Sequence, residues 1–189
     1  MPSNWAYIPL TGELKNDIEN FRKNIPKEWQ CDYYGRPLSE GAEDNTSTNI
    51  AFLLNLPARK QEQVIHSLES LLGSTPSFSI RFGELFFSRV DRIREIQGIH
   101  CIGIAVGDKD GTLRALREKA ANETRGKIPY DGPGHLSLVY ILPAYAEEAK
   151  KYMMEKKRFF KGKRIVVQHV DAEFWDGNSY RVDLVNQNI

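Results

Sequence analysis

The tripeptide Leu-Pro-Ala occurs at Leu56-Pro57-Ala58 and again at Leu142-Pro143-Ala144, 86 residues later. Each copy follows an apolar run of strand character and precedes a run with helical spacing, as in "NIAFLLNLPARKQEQVIHSLESL" and "HLSLVYILPAYAEEAKKYMMEKK". A fixed offset between matching segments marks an internal duplication, and a duplication restricts the fold to two copies of one unit. The chain has 189 residues, 41% of them hydrophobic. That suffices for one domain, 1–189, whose halves of about 1–92 and 93–189 form two small lobes around a shared core.

The pattern along the chain supports the repeat. Residues 5–10 read as a strand, and 13–25 as a helix with Leu14, Ile18, Phe21 and Ile25 on one face, ended by Pro26. Residues 27–46 are polar and glycine-containing, a loop with a short strand near "WQCDYY" and long enough to suggest a function. A strand over 48–56, a helix over 58–72 and a long alternating strand over 77–89 complete the first unit. The second unit begins with 98–107, apolar enough to predict burial on both faces. A helix over 110–124 follows, with Asp110 as its expected N-cap. Then come a strand over 134–142, a helix over 145–160, and a hairpin of 163–175 with 179–185 across Asp176-Gly177. The fold class expected is α+β: two βαβαβ units forming a sheet-lined groove.

Composition excludes several functions. Lys and Arg total 26 against 25 Asp and Glu, so no broad phosphate-tracking surface is implied. The two cysteines, Cys31 and Cys101, form neither a disulfide framework nor a zinc spacing. No apolar run approaches the ~18 residues of a membrane helix. The start "MPSNWAYIPLTG" lacks the signal-peptide pattern, so the expectation is a cytoplasmic protein without membrane contact. "GDKDG" at 107–111 has neither phosphate-loop nor calcium-loop spacing.

The second unit carries His135 and Ser137 in "GHLSLVYI". Residues two apart share a strand face, so strict alternation places His135, Ser137 and Val139 on one side and Leu136, Leu138 and Tyr140 on the other. By the 86-residue offset, the first unit has Asn49 and Ala51 at the corresponding places, preceded by Ser47. Arg125, Lys127 and Tyr130 lead into the motif in "TRGKIPYDGPGH"; the cations suit phosphate and the ring suits stacking on a base, although a solvated loop has the same composition. Tyr7 is a second stacking candidate, or a core residue. "RVDRIRE" at 89–95 reads as a solvated hairpin tip, and Phe159 and Phe160 as the end of a helix's apolar face.

A duplicated unit with His-x-Ser/Thr on a strand resembles the two-histidine (2H) phosphoesterases, which include RNA 2′,3′-cyclic phosphodiesterases and proteins called 2′-5′ RNA ligases. The resemblance implies two lobes with a motif strand on each side of a groove. One histidine acts as general base and the other as general acid at a phosphodiester, a hydroxyl two residues on holds a phosphoryl oxygen, and no metal or other cofactor takes part. On this chain it implies catalytic roles for His135 and Ser137, with Asn49 in the place of the other histidine, and substrate contacts from Tyr130, Lys127, Arg125 and Tyr7. The implied ligand is RNA or a nucleotide with a 2′,3′-cyclic phosphate or 2′-5′ linkage. Asparagine donates and accepts hydrogen bonds but does not shuttle protons near neutrality. The alternative is therefore a catalytically inactive domain that binds nucleotide, RNA ends or a protein partner.

Overall fold

A computed structural model describes residues 4–44, 46, 48–90, 98–108, 110–129 and 134–185. Tyr130 and Ser47 lie outside the described residues, as does "RVDRIRE" beyond Val90. The elements run β1 (Trp5–Pro9), α1 (Gly12–Lys23), β2 (Gln30–Cys31), β3 (Asn49–Leu54), α2 (Gln61–Leu72), β4 (Phe78–Arg89) and β5 (His100–Gly107). They continue with α3 (Thr112–Thr124), β6 (His135–Ile141), α4 (Ala146–Glu155), β7 (Arg164–Val167), β8 (His169–Glu173) and β9 (Ser179–Asp183). From within each Leu-Pro-Ala a single 3₁₀ turn, Ala58–Lys60 or Pro143–Tyr145, leads into the helix.

Two antiparallel sheets result, one in the order β3-β1-β8-β9 and the other β2-β6-β5-β4-β7. Each takes strands from both halves of the sequence. β4, from the first half, pairs with β5, and β8, from the second half, pairs with β1. The sheets therefore do not coincide with the divisions 1–92 and 93–189. The helices follow the same exchange. α3 contacts β3 and α2 contacts β9, while α1 contacts β6 and α4 contacts β4. Behind the second sheet Phe21 of α1 meets Tyr152 of α4 and Phe160. One large core joins the two sheets and the helices, with Ile8, Phe52, Phe82, Leu136 and Phe160 among its buried residues.

Three expectations need correction. The predicted strand 163–175 is two strands: the chain leaves the second sheet after Val167 and enters the first at His169, because β4 and β1 each need an antiparallel neighbour. The helix expected over 145–160 ends at Glu155, and the chain turns so that Phe160 drops into the core while Phe159 stays exposed. Asp110 is not the N-cap of α3. That position is Gly111 in the left-handed region; the Asp110 carboxylate still accepts from the Thr112 N–H at 3.4 Å, and the Asp108 carboxylate from that of Leu113.

The repeat is visible in backbone detail. β1 pairs Ala6 with Leu53 and Tyr7 with Ala51, leaving Phe52 as an extra residue. β5 pairs Ile102 with Val139 and Gly103 with Ser137, leaving Leu138 extra, 86 residues on. A bulge of this kind reverses the alternation beyond it. Val139 is therefore buried, and Tyr140, not Val139, shares the open face with Ser137 and His135. The burial sequence of Asn49–Leu54 is the same as that of His135–Tyr140.

Among the described residues no helix is long and apolar enough to cross a membrane. Gly103 is needed for close approach. A Cβ there would overlap the Phe86 ring and lie 3.0 Å from the Leu136 carbonyl oxygen. Gly103→Val is expected to cost about 1–3 kcal/mol of stability by overpacking, read from the midpoint of urea unfolding.

Candidate active site

The faces of the sheets turned away from the helices carry the candidate residues. On the second sheet, His135 opens β6, half-buried and paired with Ala105 of β5. Phe86 of β4 meets its imidazole edge-on, with ring centroids 5.7 Å apart. Ser137 follows on the same face. Its hydroxyl sits beside the Cys101 thiol and the Tyr140 phenol and favours their ionised forms, but burial prevails: the Cys101 pKa is pushed up to about 11, and that of Tyr140 is raised as well. Both partners thus stay protonated at neutral pH, and the Cys101 thiol donates to the Ile102 carbonyl at 3.5 Å.

Tyr140 carries the site into the 27–46 loop. Tyr33 packs edge-on against it at 5.6 Å, and Tyr34 against Tyr33 at the same distance. This loop is held by Asp32, which is fully buried. Its carboxylate accepts from the backbone N–H groups of Tyr34 and Arg36, each at 2.9 Å, and from Arg36 Nε at 2.7 Å. Burial alone would raise its pKa, but these bonds bring it below the usual carboxylate range. Cys31 and Cys101 pair with Tyr140 from opposite sides, about 9.6 Å apart at the usual strand spacing. That exceeds disulfide reach, and both thiols are free and buried.

On the first sheet, Asn49 opens β3 opposite Pro9, and Ala51 lies opposite Tyr7. Tyr7 is nearly enclosed. Its hydroxyl donates to Glu173 Oε1 at 2.7 Å, Trp5 Nε1 donates to Oε2 of the same carboxylate at 3.1 Å, and the two rings lie 4.4 Å apart. The ring that the sequence offers for stacking is therefore already packed. β3 and β6 touch along the seam between the sheets, which brings the strand of Asn49 beside the strand of His135 and Ser137. Lys127 is elsewhere: its backbone pairs with Leu54, at the other end of β3 from Asn49. Arg125 ends α3 and borders a separate pocket with Lys60 and Glu123.

Arg117 of α3 is the residue that simple motif reading misses. It is only 3% exposed, and its guanidinium donates to the carbonyl of Ala51, the position matching Ser137. Burial, and after it the charge of Arg117, hold the His135 imidazole below its ordinary pKa. His135 is thus neutral at pH 7 and fit to accept a proton. A signal for Arg117 exists in the sequence: it interrupts the apolar face formed by Leu113, Leu116 and Ala120. Among the described residues no cluster of His, Cys, Asp and Glu could hold a metal ion.

No family model matches this chain, and no curated protein matches it in sequence. Solved structures do resemble it. LigT of E. coli in complex with 3′-AMP has a TM-score of 0.52 at 14% identity, over 98% of this chain and 96% of that one. TT0787 of Thermus thermophilus has a TM-score of 0.55 at 12% identity, over 97% and 95%. Usb1 of Kluyveromyces marxianus, also solved with uridine monophosphate, has a TM-score of 0.54 at 8% identity, over 96% and 98%. The chain shares the fold of these structures across nearly its whole length, in keeping with the fold expected from the resemblance to the 2H phosphoesterases.

Replacing Arg117 by Met removes a positive charge that disfavours imidazolium. The His135 titration midpoint, followed by NMR, is expected to move up toward about 6.5. Arg117→Lys, which keeps the charge, should hold it lower.

Proposed function

We propose that this protein acts on a 2′,3′-cyclic phosphate or a 2′-5′ phosphodiester of RNA or a nucleotide, by acid–base chemistry centred on His135. The observation that carries the reading is that His135 and Ser137 share one open face of β6, at the seam where β6 meets β3. The complexes of LigT with 3′-AMP and with NADP+, and of Usb1 with uridine monophosphate, support a nucleotide as ligand.

In this reading water attacks phosphorus and gives its proton to His135. The Ser137 hydroxyl donates to a non-bridging oxygen as negative charge gathers there. The bond to the leaving ribose oxygen breaks, and that oxygen receives a hydrogen bond from the Asn49 amide and its proton from solvent. A histidine at position 49 would deliver the proton directly, so the asparagine costs about 10²–10⁴ in rate. Asn49 and Ala51 also favour a second reading, in which the groove binds nucleotide or RNA ends without turnover.

The test is metal-free turnover of an RNA oligonucleotide ending in a 2′,3′-cyclic phosphate, with products separated by chromatography. His135→Ala is expected to lower the rate by about 10²–10⁴, and Asn49→His to raise it. Saturable nucleotide binding with no turnover in the parent or in Asn49→His would establish the binding reading instead.

A further inference from the structure

Next to His135 the second sheet has a recess that the chemistry above does not use. β4 carries a bulge: Phe82 pairs with Val106 and Leu85 with Ile104, so Gly83 and Glu84 together face Ala105. Gly83 lies over Ala105, with only 3.1 Å between a Cβ built on the glycine and the alanine's own. Glu84 turns away to Lys157 and Lys161. Gly107, paired with Arg81, has open space where a Cβ would stand. The expected burial of β5 on both faces therefore holds at Cys101 and Gly103 but fails at Ala105, which is exposed. The recess has a volume of about 370 Å³, within the range of small-ligand sites. Its floor is backbone and methyl, Arg81 and Asp108 stand at its border, and Ala105 is the direct partner of His135.

This surface suits a flat group with apolar faces and a polar edge. Phosphate would find too few donors on such a floor, and an aliphatic chain would have no use for the Arg81 guanidinium, which stacks on rings and donates to ring edges. Gly83 lies two strands from His135, about 9.6 Å at the usual spacing, a span that a ribose bridges. Resting on the nucleotide reading above, we infer that the recess formed by Gly83, Ala105 and Gly107 seats the nucleobase of the nucleotide whose phosphate is held by His135 and Ser137, with Arg81 at the base's edge. A glycine at the bulge makes this a built feature of β4, since any side chain at that position would press on Ala105.

The experiment is calorimetric titration of the whole protein with 3′-AMP and, separately, with inorganic phosphate as the ligand lacking a base. Ala105→Leu fills the recess on the solvent side and so spares the core; Arg81→Ala leaves the floor intact but removes the edge contact. Both should weaken 3′-AMP about tenfold or more while changing phosphate affinity little. Ser137→Ala should weaken both ligands. Unfolding midpoints of the variants identify any loss due to misfolding, and Arg81→Ala then decides the matter alone. If Ser137→Ala weakens 3′-AMP but neither recess variant does, the subsite is wrong and the nucleotide reading stands. If Tyr33→Ala, and not Ala105→Leu, weakens 3′-AMP, the base lies on the tyrosines and the subsite is again wrong. If the parent protein binds neither ligand, both inferences fall.

Discussion

In each motif strand one extra residue sits on the core side, Phe52 in β3 and Leu138 in β6. The hydrophobic requirement is simple: two consecutive large side chains must be buried, and a regular strand buries only alternate ones. The bulge resolves this by shifting the pairing, and everything after it changes face. In β6 the shift joins Tyr140 to Ser137 and His135, and through Tyr140 it connects the motif with Tyr33 and the loop held by buried Asp32. The open face is thus a consequence of core packing in the same strand.

Charge organises what packing has assembled. The two sheets present unlike faces. The first is rich in carboxylates, with Glu173 bound by Tyr7 and Trp5 and Asp171 bound by Arg181 at 3.1 Å. The second has His135, Ser137, the bare backbone around Ala105, and Arg81. Arg117 lies beneath, bonded to the first motif strand and acting electrostatically on the histidine of the second. A buried cation needs compensation, and here a backbone carbonyl provides part of it. Its location couples the protonation state of His135 to the backbone of β3.

Much of this is legible in the sequence, for identifiable reasons. The 86-residue offset locates both motif strands, because a duplication preserves spacing where side chains change. Alternation alone puts His135, Ser137 and Asn49 on the faces turned away from the core. It fails at Tyr140, since a one-residue bulge has no reliable signature in a single sequence. The split at Gln168 is invisible because β7 and β8 read as one uninterrupted strand, and only the competing needs of β4 and β1 divide them. The enclosure of Tyr7 is equally hidden: it depends on Glu173, 166 residues away. Arg117 shows only as a break in the apolar face of α3, and Ala105 and Gly83 give no signal, because their importance is a matter of what lies across a strand or under a helix.

The exchange of β4 and β8 between the sheets also bears on how the chain reaches its fold. β1 is synthesised well before its partner β8, with most of the other strands between them. Until His169–Glu173 arrives, β1 presents an open edge, and Ala6 and Ile8 lack part of their cover. Pairings this distant in sequence slow folding, because the entropy of closing the loop precedes the gain from contact. Neither half, 1–92 or 93–189, holds all the strands of either sheet. A nascent chain in which β8 and β9 have not yet emerged would expose the β1 edge to other chains.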